Sequence, residues 1–292
     1  MLRTIDMIIT VIKNTIESDP CLKIKFNHPN RKYHLDELLP YILQVLDQGI
    51  SYRNIKTKTN ICWNTIYKYY RLLVKYNIIE KTYEKLIDKY LHQLEQIPNN
   101  FYNDSSLVCN KLGEDKADYN PYSPKHKLSK FSIINDSPLG VYVPEGNYDF
   151  LIPISLDVDY GSVHDTVMLN KQLEKLKENH PILFKNKINL IVDAGYDSKK
   201  LKEQVKNLNL GRVVCYKNRR NGKKKEITEN YNLYDYLLLK SRMKSEHMMC
   251  SFKQFKRIDK RYDRYINNYI NFMYLGAIKI IMKKIGLYLI NN

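Results

Sequence analysis

Asp193 stands where an apolar run meets a glycine turn, a position from which a carboxylate can bind a metal ion. The run Ile188–Val192 has the composition of a buried strand, and Ala194-Gly195 predicts a tight turn before a helix. Open α/β sheets keep their sites at the carboxyl ends of their strands. Asp193 is therefore a candidate metal ligand, although a simple turn cap explains the segment equally well. We assign Asp197 and Ser198 to structural roles, since one of them should cap the helix that follows.

Arg242, Glu246 and Lys253 form a second set of charged side chains. The stretch Leu233–Ile258 contains neither proline nor glycine and predicts one long helix. The arginine lies four residues before the glutamate and the lysine seven after it, so all three share one face. Singly, such charges are usually a solvated surface, with about 0.3–0.5 kcal/mol for an ion pair. Together with Asp193 they indicate an acidic metal site bordered by cations that bind phosphate.

These two features, in this order, resemble the DDE transposases of bacterial insertion sequences, in particular the groups numbered four and five. The family's glutamate signature is tyrosine, two residues, arginine, three residues, glutamate, six residues and lysine. Arg242, Glu246 and Lys253 fit it, whereas Leu239 stands at the tyrosine position. The later triplet Arg261-Tyr262-Asp263 is also similar to the family's. The resemblance implies an RNase H-like α/β domain, a mixed sheet flanked by helices, that cleaves the ends of a DNA element and joins them to target DNA.

The resemblance also implies three carboxylates that are catalytic and bind metal. Asp193 fits the family's second aspartate and Glu246 its glutamate. For the first aspartate we choose Asp104, because the sequence around it resembles the family's aspartate-serine strand. Asp136 and Asp159 are rivals, of which Asp136 fits better as a hairpin turn residue.

Three carboxylates suit two Mg²⁺ ions, with Mn²⁺ as a substitute. Phosphoryl transfer needs an activated nucleophile and a stabilised leaving oxygen, and a pair of ions about 4 Å apart provides both. Magnesium prefers oxygen ligands in octahedral geometry. We assign Arg242 and Lys253 to phosphate contacts. His164 and Asp165 belong to a segment similar to the family's His-Asp motif and are expected either near the site or in a structural hydrogen bond.

The N-terminal part of the chain predicts a helical, helix-turn-helix-like DNA-binding region. Apolar residues follow helical spacing from Leu35 to Leu94, and Gly49-Ile50-Ser51 predicts a turn between short helices. A helix over Trp63–Arg71 is expected to be the recognition helix. Its expected DNA contacts are Asn64, Thr65, Lys68 and Arg71, whereas Trp63, Ile66 and Tyr70 are expected in the core.

Two domains are predicted: a helical DNA-binding region over residues 1–97 and a DDE catalytic domain over residues 98–292. The polar, turn-rich stretch beginning near Ile97 predicts the boundary, because strand-like runs alternate with helical runs beyond it. The chain has 48 Lys and Arg against 31 Asp and Glu, a net charge of +17 spread along its length. This favours a nucleic acid as the partner, although the charge alone leaves acidic lipid or an acidic protein open. The family resemblance implies double-stranded DNA.

The cell compartment predicted from the sequence is intracellular and DNA-associated. The five cysteines are scattered and form no zinc spacing, which is typical of reduced thiols. We expect no signal peptide and no membrane helix, because no apolar run approaches ~18 residues. A homo-oligomer is expected from the family alone. Two alternatives stay open: a domesticated or inactive transposase that only binds DNA, and a nuclease without strand transfer.

Overall fold

The computed structural model describes residues 4–58, 60–94, 99–120, 123–137, 151–216 and 232–291. The helices are α1 (Thr4–Glu17), α2 (Pro20–Phe26), α3 (Leu35–Gln48), α4 (Trp63–Lys75), α5 (Ile78–His92), α6 (Asp165–Asn179), α7 (Lys199–Asn207), α8 (Leu233–Ser241), α9 (Met243–Gln254), α10 (Lys256–Asp259) and α11 (Ile266–Asn291). The strands are β1 (Asn100–Asn110), β2 (Asp118–Asn120), β3 (Ser123–Asp136), β4 (Ile152–Tyr160), β5 (Asn189–Ile191), β6 (Arg212–Val214) and β7 (Lys260–Arg261). The predicted domain boundary between residues 97 and 98 lies outside the described residues.

The chain forms two compact units, which we call the helical unit and the sheet unit. The helical unit consists of Met1–His92, Cys109–Asp115 and Ser251–Asn292, and the sheet unit of Gln93–Val108 and Lys116–Cys250. The C-terminal helix α11 is therefore part of the same unit as the N-terminal helices. This grouping depends on contacts between residues far apart in sequence.

The core of the helical unit lies around α11, against which α1, α4 and α5 pack. The ring of Tyr70 on α4 stacks on Phe272 on α11 with 4.5 Å between centroids. The charged Lys279 of α11 pairs with Asp47 at 2.6 Å. The described part of the chain has no helix with both the length and the apolar character needed to cross a membrane.

The turn predicted after α3 is present, but the helix predicted directly after it is wrong. Gly49 ends α3 with a φ of 65°, the left-handed conformation that glycine adopts without a steric penalty. Only a single 3-10 turn follows, over Tyr52–Asn54. The β-branched side chains of Ile55 and Thr57 disfavour its continuation as a helix. The next helix is α4, which begins at Trp63 as predicted.

The sheet unit contains a mixed sheet flanked by helices, which confirms the predicted fold class. Its strand order is β4-β3-β1-β5-β6, and β2 pairs with the beginning of β3. The pairs β2/β3 and β3/β4 are antiparallel, whereas β1/β5 and β5/β6 are parallel. Helix α6 packs on β3 and β4, and α7 and α8 pack on β6. The strands β1, β5 and β6 therefore run in the same direction, and β1 continues beyond the ends of the other two.

The long helix predicted over Leu233–Ile258 is wrong, because the structure has α8, α9 and α10 there. At the first break, the N–H of Arg242 donates to the carbonyl of Leu239, three residues earlier. The hydroxyls of Ser241 and Ser245 donate to backbone carbonyls at 2.7 Å on either side of the break. Such local hydroxyl bonds compete with regular helix hydrogen bonds. The spacing from Arg242 to Glu246 nevertheless stays within one helical turn.

An ion pair between the exposed Arg212 on β6 and the buried Asp235 on α8 links this helix to the sheet. The carboxylate of Asp235, 1% exposed, accepts two hydrogen bonds from the guanidinium of Arg212 on β6, of which the Nη1–Oδ2 bond is 2.9 Å. Arg212 also donates to the side chain of Asn189 on β5. Since α8 leads directly into α9, this pair fixes where the chain enters the helix that carries Glu246.

Candidate active site

Two of the predicted carboxylates are carried by the neighbouring parallel strands β1 and β5, Asp104 within β1 and Asp193 just after β5. β1 and β5 are parallel, and Tyr102 on β1 lies opposite Ile191 on β5. Asp104, within β1, and Asp193, just past the end of β5, each follow two residues later along the chain. The same offset along two parallel strands brings the two aspartates side by side. β1 lies between β3 and β5, so the candidate site is near the centre of the sheet.

Electrostatics place Glu246 and Arg242 in the same neighbourhood as the aspartates. The pKa of Asp104 is raised to about 6, chiefly because burial disfavours the charged carboxylate. The backbone N–H of Ser105 and the charge of Arg242 act in the opposite direction, whereas Asp193 and Glu246 raise the pKa further. The charges of Arg242, Asp193 and Glu246 therefore all act on Asp104.

Asp193 is both a turn cap and an exposed carboxylate. Its Oδ1 accepts the N–H of Ala194 at 2.7 Å, at the start of a 3-10 turn over Ala194–Tyr196. The two interpretations of this residue are therefore compatible, because a cap uses one oxygen and leaves the side chain at the surface. The capping role predicted for Ser198 is confirmed, since its Oγ accepts the N–H of Leu201. Asp197 instead pairs with Lys202.

Glu246 lies in the first turn of α9 and is held by Arg242. The guanidinium donates to Glu246 Oε1 at 2.7 Å across four residues. The arginine thus offsets part of the negative charge of the site. Lys253 lies in the last turn of α9, half-buried, in the helical unit. Leu239, at the family's tyrosine position, is buried on α8 and presents no hydroxyl.

The residues of this site suit a divalent metal ion in chemical type. Carboxylate oxygens are the ligands that Mg²⁺ and Mn²⁺ prefer, and a partly buried Asp104 beside two further carboxylates concentrates negative charge that a cation offsets. In the ranges that the structure describes, no three Asp, Glu, His or Cys side chains converge closely enough to hold an ion as they stand. Arg242 occupies only one of the two carboxylate oxygens of Glu246.

The raised pKa of Asp104 predicts a pH-dependent stability in EDTA. The folded protein binds this proton more tightly than the unfolded chain, so ionisation of Asp104 lowers the free energy of unfolding as the pH rises from about 4 to about 6. Asp104→Asn removes the ionisation and should be more stable than wild type by about 1–3 kcal/mol above that window, with a smaller difference below it. Urea unfolding at pH 4 and pH 8 measures both. Adding Mg²⁺ at pH 8 should stabilise wild type and not the variant; a pH-independent difference would contradict the prediction.

Sequence reasoning missed two residues that support Asp104. The Oγ of Ser105 donates to Asp165 Oδ1 at 2.8 Å, and Lys130 Nζ donates to the same oxygen at 2.8 Å. Lys130 also donates to the carbonyl of Val163 at 2.7 Å, which ties β3 to the segment before α6. The N–H of Ser105 in turn donates to Asp104 Oδ1. Asp165 thus has the structural hydrogen-bonding role that was one of its two expectations, while His164 caps α6.

Lys130→Met should weaken catalysis without unfolding the protein. Lys130 is the buried cation of this network, with a side chain 12% exposed. Its loss leaves the carboxylate of Asp165 without its cation and loosens Ser105 beside Asp104. Partners that orient metal ligands typically contribute about 10- to 100-fold, and we expect a fall of that size in the rate of DNA nicking. Lys171→Met, which removes a lysine that is 54% exposed in its pairs with Asp157 and Asp159, is the matched control. Equal rates for both variants would refute a positioning role for Lys130.

The rival aspartates lie elsewhere in the sheet unit. Asp136 is buried at the end of β3, where it lies opposite Ile152 in the antiparallel pair with β4. Asp159 on β4 forms ion pairs with Lys116 at 3.5 Å and Lys171 at 3.7 Å. Neither carboxylate is among the main causes of the raised pKa of Asp104. The choice of Asp104 as first aspartate stays a prediction that this geometry supports.

The four predicted DNA-contact residues lie on α4 of the helical unit. Lys68 and Arg71 are exposed, whereas Asn64 and Thr65 are half-buried. Of the residues predicted in the core, Ile66 and Tyr70 are fully buried. Trp63 is only half-buried, and Arg53 lies over its ring at 5.4 Å.

The mixed sheet carries two carboxylates of the type that divalent metal ions prefer, Asp104 within β1 and Asp193 just after β5. Residues 147–279 match the family described as the transposase DDE domain. The match covers a little under half of the chain, which in this segment is similar to the DDE domain of transposases. The matched segment contains Asp193 and Glu246 and begins after Asp104, and it does not distinguish between insertion-sequence groups. No curated protein sequence matches the chain.

Solved structures similar to this chain include transposases in complex with DNA. One is the piggyBac transposase synaptic complex with hairpin DNA, with a TM-score of 0.48, 11% identity, and 99% of this chain and 74% of that chain covered. A second is the Mos1 transposase paired-end complex with the left transposon end. Its TM-score is 0.32 and its sequence identity 11%, and the match covers 89% of this chain and 80% of that chain. A third is the Mos1 mariner paired-end complex with Mn. Its TM-score is 0.27 and its sequence identity 10%, and the match covers 87% of this chain and 79% of that chain.

Proposed function

We propose that Asp104, Asp193 and Glu246 hold two divalent ions, Mg²⁺ with Mn²⁺ as a substitute, for cutting and joining DNA at the ends of a mobile element. The observation that carries the proposal is the joint action of Asp193, Glu246 and Arg242 on the partly buried carboxylate of Asp104. When bound, the ions supply activation of the attacking oxygen and stabilisation of the leaving one. Both cleavage and strand transfer use this one site.

The protein's own side chains provide binding and orientation in this proposal. Arg242 releases Glu246 and makes a bidentate contact with a DNA phosphate, for which the planar guanidinium is suited. Lys253 adds a second phosphate contact as a point charge. The network of Ser105, Asp165 and Lys130 keeps Asp104 in place through the turnover. Since no tyrosine stands at position 239, we propose end processing without a contact from that side chain.

Double-stranded DNA is the proposed partner, both as element end and as target. The net charge of +17 and the exposed Lys68 and Arg71 on α4 support this partner. Two of the similar structures are a synaptic complex and a paired-end complex. We therefore propose that this chain also acts as a homo-oligomer on paired DNA ends, inside the cell and in association with DNA.

Incubating the protein with the DNA that flanks its own gene tests the proposal directly. With Mg²⁺ or Mn²⁺, wild type should nick the DNA at the element ends, and Glu246→Gln should lose this activity while still binding DNA. Glu203→Gln, on the exposed face of α7, is the matched control and should cleave as wild type does. A strand-joining assay with the cut ends separates a transposase from a nuclease. Binding without cleavage by all three proteins would instead support a protein that only binds DNA.

A further inference from the structure

A basic cleft of about 550 Å³ lies in the helical unit, outside the carboxylate site. One wall is the face of α4 that carries Lys68, Arg71 and Lys75, whose spacing of three and four residues aligns them along the helix. All three side chains are exposed. The other wall includes Tyr265 and Asn267, where α11 begins. A cleft with three aligned cations in one wall and amide groups in the other suits a phosphate-bearing ligand.

The single carboxylate in the lining does not cancel this charge. Asp115 accepts hydrogen bonds from the guanidinium of the buried Arg261 and, at 2.8 Å, from the N–H of Ile266. Arg261 is 0% exposed, so its positive charge is directed entirely to neighbouring protein groups. Asp115 is thus already bonded to groups of the protein. The three cations of α4 therefore make the cleft positively charged.

Tyr265 gives the cleft an aromatic surface. The tyrosine is 50% exposed, and the guanidinium of Arg71 lies over its ring with 5.8 Å to the centroid. One face of the ring is therefore covered by a cation, while half of the side chain remains open to solvent. Single-stranded nucleic acids are bound by this combination, in which cations follow the phosphates and an aromatic ring stacks on a base.

The two walls are fixed to each other before any ligand binds. Tyr70, on the buried side of α4, donates its hydroxyl to the carbonyl of Asn268 on α11 and stacks on Phe272. The carbonyl of Tyr265 accepts the N–H of Asn268 at 3.1 Å, which fixes the backbone that carries the exposed ring. A rigid cleft loses little conformational entropy on binding, so its contacts contribute fully to affinity.

We propose that this cleft binds a single-stranded stretch of DNA, with phosphates on Lys68, Arg71 and Lys75 and one unpaired base stacked on Tyr265. A paired base in a duplex is covered on both faces by its neighbours, so only an unpaired or frayed base can reach the ring. The volume, within the range of about 300–1,000 Å³ typical of small-ligand sites, suits a short stretch of strand. The proposal rests on the proposed function only in taking DNA as the ligand. It extends the predicted role of α4 from reading a duplex groove to holding a free strand.

Binding in EDTA tests the cleft independently of catalysis. The probes are a blunt DNA duplex and the same duplex with a short 3′ overhang that carries 2-aminopurine as its unpaired base. Tyr265→Leu should weaken binding of the overhang probe by about 5- to 100-fold, the range expected for one stacked base, and leave blunt binding within about twofold. Tyr265→Phe keeps the ring and should bind as wild type does. Tyr119→Leu is the matched control, because Tyr119 is a 60% exposed tyrosine in the sheet unit with Lys127 over its ring at 5.9 Å.

Fluorescence and salt dependence give two further readouts. Wild-type protein should quench 2-aminopurine on binding, and Arg71→Met should lower the salt slope of overhang binding by about 0.7, the value for one phosphate contact on a single strand. Equal losses for blunt and overhang DNA, or equal losses for Tyr265→Leu and Tyr119→Leu, would overturn the proposal. If Tyr265→Leu does not fold, unquenched 2-aminopurine with wild type would overturn it by itself. If wild-type protein binds the overhang probe but does not cleave DNA in the separate metal-dependent assay, the proposed function is contradicted. The proposal for the cleft is then still supported.

Discussion

Asp193→Asn should abolish metal-dependent DNA cleavage, with a loss of at least about a thousandfold. Asparagine keeps the size of the side chain and can still accept the N–H of Ala194, so the turn after β5 should persist. The substitution removes the negative charge that a divalent ion requires, and metal-ion stabilisation of a phosphoryl transition state is worth several kcal/mol. A loss of about 4 kcal/mol corresponds to roughly a thousandfold in rate. Single-turnover nicking of end DNA in Mg²⁺ measures it.

Asp197→Asn is the control for this prediction, since it makes the same chemical change four residues further along. Asp197 pairs with Lys202 and is not among the groups that act on Asp104. This variant should cleave within about threefold of wild type, because ion pairs near the surface contribute little. Cleavage by Asp193→Asn at more than a tenth of the wild-type rate would refute the assignment of Asp193 as a metal ligand.

Arg257→Met should lower the free energy of unfolding by about 3–5 kcal/mol. The guanidinium of Arg257 makes two hydrogen bonds of 2.9 Å to the carboxylate of Asp263. Both side chains are below a tenth exposed. Removing one partner of a buried pair leaves the other charge buried and uncompensated. The free-energy cost of that lone charge is much larger than the net stabilisation from the intact pair. Urea denaturation followed by circular dichroism measures the change.

Arg264→Met, a few residues away, should change stability by less than about 1 kcal/mol. Arg264 pairs with Glu114 at 3.0 Å, but the two side chains are 64% and 63% exposed, so water screens the interaction. The double variant Arg257→Met with Asp263→Leu should recover much of the lost stability, because it removes both buried charges together. A similar loss in Arg257→Met and Arg264→Met would mean that burial does not decide the energy of these pairs.

Local patterns in the sequence predicted the parts of this molecule that depend on neighbours along the chain. The apolar run before Asp193, the four-residue spacing of Arg242 and Glu246, and the cap at Ser198 all appear in the structure as predicted. Each depends on one strand or helix and its turn chemistry. The fold class followed from alternating strands and helices together with the family resemblance.

The features that sequence reasoning missed depend on contacts between distant residues or on competition within one turn. Lys130 and Asp165 are separated by 35 residues and meet only because β3 lies beside the segment that precedes α6. The break at Arg242 results from serine hydroxyls that bond to nearby carbonyls, which apolar periodicity does not report. The identification of the exposed Tyr265 as part of a cleft required the packing of α11 against α4.

The composition of the helical unit limits how this protein can exchange parts with others. Its residues come from three separate stretches of the chain, and the sheet unit occupies the two stretches between them. Recombination at a single point would therefore transfer α1 to α5 without α11, against which α1, α4 and α5 pack. A graft of that kind would leave the rings of Tyr70 and Phe272 in different proteins. Specificity for a new DNA sequence is thus expected to arise by substitution on the surface of α4, and not by modular replacement of the N-terminal region.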